Sequence, residues 1–582
     1  MSAERSNEAS PDTNANANAN ANADADANAD ADADANADAG AKAKAKAKAK
    51  VNDNPFASKA LPAWQAVLLA IVSGVMYWAA FPGIDVWPFA FVCWAPLLVA
   101  MRGQTPRFAL LLGGLQGLTC NLLGFYWLLD MLKTFSGFPT ALCALFMVIL
   151  CAYQGGRMAL LGWLYGRAER RGWAPATVFV LAFVGHEMLY PLLFPWYTGA
   201  QTHKVPLLMQ AAELGGPIAI GVLLAGGSIA IAEAIWARMD RRPIDRRLLG
   251  VALAGPAFLV IYGAIRLPMV DRAIEAAPKA RIGLVQGNLS LGPTEHRDAA
   301  SIHRAATDRL EKEHGKLDLV VWSETAINFV IPQDLIGPSF QRIVMNPPGQ
   351  VGDVRVDTPV LSGVILRRGG SAFQRKTGKL YNSAALVHPD GRVEGVYDKT
   401  YLLAFGEYIP FGETFPQLYE ISRNSGQLTP GNSLEPIPFG EHKITTLICY
   451  EDILPTFTNK IVRHGDPDLL VNATNDAWFG KSTEPAIHLA LAKYRAVEHR
   501  RFLVRATNSG VSAFIDANGR SFDETPLFEE AGRVREVRWM RSRTPYELWG
   551  DIPWWIASLG VVAMGFFANR RAARERAQAP AV

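Results

Sequence analysis

The sequence predicts a chain in two parts: a polytopic α-helical membrane domain of about eight spans and an α/β domain held outside the cytoplasm. Three observations predict it. Long apolar runs cluster before residue 266 and recur once near residues 554–568. The segment between them, residues 270–550, alternates short apolar runs with charged helical ones, as a layered α/β domain does. Basic residues gather in alternate loops of the apolar region, which orients its spans.

Crossing a bilayer as a helix takes about 20 largely apolar residues. Seven runs before residue 270 meet this, near 62–81, 84–101, 108–129, 139–162, 175–194, 212–236 and 248–266. An eighth, 554–568, is short but carries Trp554 and Trp555 as interfacial anchors. Arg102 and Arg107 follow the second run; Arg167, Arg170 and Arg171 follow the fourth; Arg238, Arg241, Arg242, Arg246 and Arg247 follow the sixth. Lysines 42–50 precede the first run, and Arg570, Arg571, Arg574 and Arg576 follow the last. The loops around Gly83, Lys133 and His203 carry little positive charge. The positive-inside rule therefore places both termini in the cytoplasm and the 270–550 segment outside it.

The expected organisation is a disordered low-complexity tail (1–55), a membrane domain of seven helices (56–269), an α/β domain (270–548), an eighth membrane helix (549–569) and a basic tail (570–582). The first of these alternates Ala with Asn, Asp and Lys, so it holds almost no side chain able to join a core, and it has no apolar stretch of the signal-peptide kind. A formal net charge of +4 is too small to argue for nucleic acid as a partner. Within the fifth run, His186 and Glu187 are either functional intramembrane groups or hydrogen-bonding partners between helices. The Phe194-Pro195-Trp196-Tyr197 loop faces outward, as an aromatic interfacial lip or an ordinary aromatic belt.

In the α/β segment, Ile282–Gln286, Leu317–Trp322, Thr358–Leu366 and Asp468–Ala473 read as strands. Arg297–Lys316 and Glu484–Arg500 read as helices. Hairpins are expected over Tyr381–Val396, turning at Pro389-Asp390-Gly391, and around Asp516-Ala517-Asn518-Gly519.

Cys449 is the first candidate for chemistry. The β-branched run Ile444–Ile448 reads as a buried strand that stops at Cys449, and Glu451 and Asp452 suit the first turn of a following helix. At such an elbow, helix N-terminal amides favour a thiolate; the alternative is an inert buried thiol. Of the five cysteines, Cys93, Cys120, Cys143 and Cys151 lie in or beside apolar runs, so Cys449 has no disulfide partner within its own segment. Glu324 and Lys399 likewise end strand-like runs, either as ordinary surface residues or as a carboxylate and an ammonium converging on the thiol. No metal site is indicated, because His488 and His499 lack partners at zinc-ligand spacing, and Gly369-Gly370 shows no phosphate-loop pattern.

Trp322-Ser323-Glu324-Thr325, Lys399 with Phe405-Gly406-Glu407, Ile448-Cys449-Tyr450-Glu451 and Asn475-Asp476-Ala477-Trp478-Phe479-Gly480 together resemble the nitrilase (carbon-nitrogen hydrolase) superfamily. With seven spans before and one after, the pattern over residues 60–568 resembles the apolipoprotein N-acyltransferase family within it. Ser323 departs from the pattern, which has Pro there in many relatives, and the N-terminal tail lies outside it. The resemblance implies a nitrilase-like αββα sandwich and a catalytic triad of Glu324, Lys399 and Cys449. It implies transfer of an acyl chain from a membrane phospholipid, through a Cys449 thioester, to the α-amino group of a lipoprotein's N-terminal S-diacylglyceryl cysteine. No cofactor is implied, and the setting implied is the bacterial inner membrane with the catalytic domain in the periplasm. Lys399 and the Tyr450 backbone amide would hold the oxyanion, and the lysine would also lower the thiol pKa. Glu407, Tyr450 and Glu451 would support the triad, the two acids alternatively being local helix-start charges. Trp478, Phe479 and Trp196 are possible substrate-binding residues, or core. The competing readings are a membrane-tethered amidase, which would not need paired lipid substrates, and a receptor or transporter, for which Cys449→Ala would leave function intact.

Overall fold

The computed structural model describes residues 59–290, 299–345, 356–369, 378–421 and 426–569. The two tails lie outside the described residues. Apolar composition forms helices α1 (Ala63–Ala79), α2 (Ala95–Met101), α3 (Pro106–Gly124), α4 (Leu128–Ser136), α5 (Thr140–Arg170), α6 (Pro175–Leu189), α7 (Ala212–Met239) and α8 (Arg246–Ala276). Among the described residues, α5, α7 and α8 are long and apolar enough to cross a membrane, and α3 with α4 makes a fourth if that pair, bent by 63°, is one span. The other apolar helical segments, α1, Trp87–Met101, α6 and the later Ile552–Phe566, are shorter.

Several span boundaries differ from expectation, two of them beside prolines. The run 84–101 is a 3₁₀ turn, Trp87–Phe91, followed by the seven-residue α2, each with a proline in its first turn. The run 108–129 breaks after Gly124. The run 175–194 stops at Leu189, two residues before Pro191. The last run before the α/β domain continues to Ala276, so the boundary expected at 269–270 falls inside α8.

Helices α3 and α5 pack through glycine. A Cβ on Gly117 would lie 2.4 Å from the Gly155 carbonyl oxygen, and one on Gly162 would lie 2.0 Å from that of Ala109. Such close backbone approach is how helices gain dispersion contacts where no hydrophobic force separates protein from lipid. Nearby, Arg157 of α5 donates to Glu187 of α6 at 2.8 Å and to the Trp196 carbonyl at 2.6 Å. Glu187 thus bonds between helices, whereas His186 bonds the Phe183 carbonyl of its own helix. Arg157, the cation that makes Glu187 tenable there, is absent from the sequence-based expectations.

The α/β domain comprises β1 (Lys279–Gln286), α9 (Ala299–His314), β2 (Leu319–Trp322), β3 (Ile327–Pro332), β4 (Val360–Arg368), β5 (Lys379–Val387) and β6 (Val393–Asp398). There follow β7 (Ile437–Phe439), β8 (His442–Ile448), α10 (Pro455–Gly465), β9 (Leu469–Thr474), α11 (Glu484–His499), β10 (Phe502–Thr507), β11 (Ala513–Ile515), β12 (Ser521–Phe522) and β13 (Ala531–Arg538). One sheet has the order β13-β1-β2-β4-β5-β6, with β3 also on β4; the second has the order β12-β11-β10-β9-β8-β7. Leu284, Val321 and Leu386 from the first share a core with Leu447, Val471 and Val504 from the second. Ala306 and Leu310 of α9 pack on the outer face of the first sheet. Phe457, Ile461 and Val462 of α10, with Leu489, Ala492 and Ala496 of α11, cover the second. This is a four-layer α-β-β-α sandwich. Strands β3, β7, β10 and β13 were not anticipated; β13, Arg-rich and only half-buried, pairs antiparallel with β1 from Lys279↔Arg538 to Gln286↔Ala531.

The opposite face of α11 belongs to the membrane-helix core, through Ile487, Ala490, Leu491, Tyr494 and Val497. Polar contacts extend the joint: the Tyr494 hydroxyl donates to the Gly199 carbonyl at 2.6 Å, and Arg500 bonds Glu213 at 2.7 Å. Helix α12 (Ile552–Phe566) returns against α6 and α5. If the glycine contact sets the α3–α5 distance, Gly117→Val should destabilise the detergent-solubilised protein by about 1–3 kcal/mol. A thermal melt checks this, and an unchanged midpoint would refute it.

Candidate active site

Strand register places the nucleophile candidate. Strands β8 and β9 run parallel with Ile448 opposite Ala473, and β8 ends at Cys449, whose φ is 51°. A non-glycine residue in that left-handed region is strained, and such strain persists only where surrounding structure enforces it. Glu451 supplies the enforcement. Its carboxylate is fully buried and accepts from the amides of Ile448 (2.8 Å), Thr400 (2.8 Å) and Tyr401 (2.9 Å) and from the Tyr397 hydroxyl (2.9 Å). One carboxylate therefore ties the elbow to the loop that follows Lys399. Burial raises its pKa to about 7 against the pull of those donors.

Glu324 follows β2, ahead of Thr325, which also has positive φ (52°). Lys399 is the first residue after β6 and is 1 % exposed. Lys399 Nζ lies 2.7 Å from Glu407 Oε2 and 3.7 Å from Glu324 Oε1. Asn382 of β5 donates through Nδ2 to both acids, at 2.7 Å to Glu324 and 2.9 Å to Glu407. Glu324 and Lys399 both lie near enough to the Cys449 thiol to act on its charge. Three groups separated by many residues in the chain thus meet at the carboxyl ends of strands.

Burial pushes the Glu324 carboxyl above the ordinary range; Lys399 opposes and Glu407 reinforces the shift. Burial works against the Lys399 ammonium, yet the surrounding anions raise its pKa and keep it charged. Burial and then Glu324 push the Cys449 thiol well above its ordinary value, with Lys399 pulling the other way. The lysine lowers the thiol pKa as expected, but burial and the Glu324 carboxylate outweigh it. The resting pair is a thiol beside a proton acceptor of raised basicity.

Tyr450 is buried, stacks on Tyr401 at 6.0 Å and donates its hydroxyl to the Leu193 carbonyl of the membrane domain. Phe479 packs edge-on against Trp127 at 5.2 Å, and Trp478 is half-buried against the membrane helices. Trp196 is 2 % exposed and packs on Phe81 at 4.8 Å. The outward-facing lip expected at Phe194–Tyr197 is therefore corrected: Phe194 and Trp196 are interior, packed against Trp127 and Phe81 of the apolar segment. Exposed aromatic side chains occur instead at Tyr401, Phe405, Phe411 and Phe415, flanking Glu407. The aromatic density of residues 401–415 was the available signal. Asn382, a polar residue in an apolar strand, left none.

His488 acquires partners that its sequence neighbours do not suggest. Nε2 lies 2.7 Å from Asp452, Nδ1 lies 3.0 Å from Asp476, and Arg505 bonds the same two acids at 2.8 and 3.1 Å. Burial and Arg505 lower the imidazole pKa, but the two carboxylates prevail and lift it to about 10. Glu484 also converges here, so that Asp476, Glu484 and His488 each offer an atom within 4.8 Å of the others, while both imidazole nitrogens already face carboxylates.

Residues 282–538 match the carbon-nitrogen hydrolase model, and residues 73–230 match the apolipoprotein N-acyltransferase N-terminal domain model. An apolipoprotein N-acyltransferase of Geobacter metallireducens is 31% identical over 519 residues, covering 87% of this chain and 95% of its own. The chain belongs to the apolipoprotein N-acyltransferase family. The Azotobacter vinelandii apolipoprotein N-acyltransferase is 30% identical over 547 residues, covering 90% of this chain and 98% of its own. Among solved structures, Saccharomyces cerevisiae Nit3, of the nitrilase superfamily, is similar at 16% identity and a TM-score of 0.34, over 47% of this chain and 94% of Nit3. In this member of the N-acyltransferase family, Glu324, Lys399 and Cys449 all fall within the hydrolase match, and α1 to α6 with most of α7 fall within or across the N-terminal match.

Gly363 of β4 gives the Glu324 loop its position. A Cβ there would lie 2.5 Å from the Thr325 nitrogen and 2.6 Å from Glu324 Cα. Gly363→Ala should therefore displace the carboxylate and slow reaction at Cys449 by about 100-fold, the usual cost of an ångström-scale misplacement. Single-turnover kinetics with a thermal melt check this; a rate loss matched by general unfolding would refute the positional account.

Proposed function

We propose that this protein transfers an acyl chain from a membrane phospholipid to the α-amino group of a lipoprotein's N-terminal S-diacylglyceryl cysteine, by a ping-pong reaction through a Cys449 thioester. The observation that carries the reading is the convergence of the Cys449 thiol, the Glu324 carboxylate and the Lys399 ammonium in a domain fused to membrane helices. Family membership supports the acyltransferase activity.

In the first half-reaction Glu324 takes the thiol proton as the sulfur attacks the ester carbonyl of the phospholipid. Lys399 and the Tyr450 backbone amide hold the oxyanion, each such donor being worth about 2.7–4 kcal/mol of transition-state stabilisation. The intermediate collapses with protonation of the leaving alkoxide, and lysophospholipid departs. In the second, the lipoprotein's amine attacks the thioester, Glu324 assists proton removal, and the thiol is restored as the amide forms. Glu407 orients Lys399, while Glu451 and Tyr450 hold the elbow. Trp478 and Phe479 line the joint with the membrane helices. Transfer in place of hydrolysis requires water to be kept out, which a lipid-filled entrance would do.

In this reading residues 56–269 form a seven-span membrane domain, 270–548 the catalytic domain and 549–569 an eighth span, with 1–55 and 570–582 as cytoplasmic tails. The apolar segment Trp87–Met101 then counts as one span, as does the bent pair α3–α4. The alternation of basic loops supports cytoplasmic termini, a periplasmic catalytic domain and a location in the bacterial inner membrane. Exposed Tyr401, Phe405, Phe411 and Phe415 suit contact with the outer leaflet, where aromatic side chains favour the interface.

Mass spectrometry after incubation with phospholipid should show an acyl adduct on Cys449 that a diacylglyceryl-cysteine lipopeptide discharges. Its absence, or its persistence in Cys449→Ala, would overturn the reading. A base must be deprotonated to act and burial raises the Glu324 pKa, so acylation should rise with pH through a midpoint above the ordinary carboxylate range. That limb should vanish in Glu324→Gln, whose residual rate should be lower by about 100-fold or more.

A further inference from the structure

Thr474 ends β9 one residue beyond Ala473, the register partner of Ile448, so it stands beside Cys449 across the parallel pair. Its side chain is fully buried and is among the groups that act on the Cys449 sulfur. The same hydroxyl donates to Asp476 Oδ1 over 3.5 Å, a long bond for an oxygen pair. Asp476 does not depend on it, since His488 bonds the same oxygen at 3.0 Å and Arg505 bonds the other at 3.1 Å. The hydroxyl therefore stands beside the sulfur with a long bond to an acceptor already neutralised by two cations.

We propose that Thr474 is the thiolate donor of this site: its hydroxyl turns from Asp476 to Cys449 Sγ as the sulfur takes on charge, and turns back when the thioester forms. The inference rests on Cys449 being the nucleophile. The thiol proton goes to Glu324, and Thr474 keeps its own, supplying a hydrogen bond and no proton. Because the sulfur is negative when it attacks the ester and again when the amine expels it, the donor acts in both half-reactions. A bond made only when charge is present lowers the barrier without stabilising the resting enzyme. The groups that face the sulfur are Glu324 after β2, Lys399 with Glu407 behind it after β6, Asp476 after β9 and Arg505 on β10. Among the described hydrogen bonds neither these cations nor Thr474 donates to the resting sulfur, but the cations are held more firmly elsewhere: Lys399 is engaged by Glu407 at 2.7 Å, and Arg505 by Asp452, Asn472 and Asp476 at 2.8–3.1 Å. Asn472 in turn donates to the Cys449 carbonyl at 3.3 Å, so the ionic cluster also fixes the backbone from which the sulfur projects.

The test is alkylation of Cys449 by iodoacetamide in the full-length protein, followed by peptide mass spectrometry over a pH series. The other four cysteines are buried. Thr474→Val should slow alkylation about tenfold at each pH, equivalent to raising the thiol pKa by about one unit. Thr474→Ser, which keeps the hydroxyl, should restore most of the rate, and acyl-enzyme formation should follow the same order. A valine variant that alkylates at the parent rate, or a serine variant as slow as valine, would overturn the assignment. Failure of the parent to form any acyl adduct would instead sink the function proposed above, while the alkylation series would still decide the role of Thr474.

Discussion

A buried ammonium organises this site. Removing a charge the size of the Lys399 head group from water costs several kcal/mol even after relaxation, and the residue is almost entirely enclosed. That cost demands counter-charges at contact distance. They come from Glu407, eight residues on, and from Glu324, which belongs to a different strand. Asn382 bridges the two acids from a third element. The same cluster sets the protonation of the Cys449 thiol. With two carboxylates to one ammonium, a further negative charge on sulfur is disfavoured, so the thiol stays protonated with a base of raised pKa beside it. The arrangement favours proton transfer from the thiol on demand over a standing thiolate.

Behind the sulfur a second charged cluster works differently. Asp452, Asp476, His488 and Arg505 neutralise one another in the interior, and no member contacts the acids of the first cluster in the described hydrogen bonds. Its effect is geometric. It holds the ends of β8, β9 and β10 in register, which sustains the left-handed turn at Cys449. The membrane domain takes part through Tyr450, whose hydroxyl reaches the Leu193 carbonyl, while Gln154 of α5 holds the same segment through the Leu193 amide and the Phe194 carbonyl. The elbow at Cys449 is thus braced from the sheet on one side and from an apolar helix on the other.

Much of this was readable from residues in order. Runs of one polarity marked the helices, and abrupt ends of apolar runs at Glu324, Lys399 and Cys449 marked the site, because a strand that is buried must stop where an ionisable group is needed. Helix ends were less legible: Pro88 and the break at Phe125 divide segments that hydropathy alone treats as continuous. Strand β13 was invisible because it is half-exposed and rich in arginine, and only pairing with β1 makes it a strand. Trp196 was misplaced because an aromatic loop beside a membrane span resembles a belt, and nothing local says that Phe81 and Arg157, from earlier apolar segments, will enclose it.

Local chemistry along the chain decided which segments are helical, which strands are buried, and which acid, amine and thiol end them, since hydrophobic periodicity and residue type act over a few neighbours. Only the tertiary structure decided how those groups are charged and held. Partners such as Asn382, Thr474, Asp476 and Arg157 arrive from distant parts of the chain, and a pKa or an orientation depends on the sum of everything within a few ångströms, whatever its position in sequence.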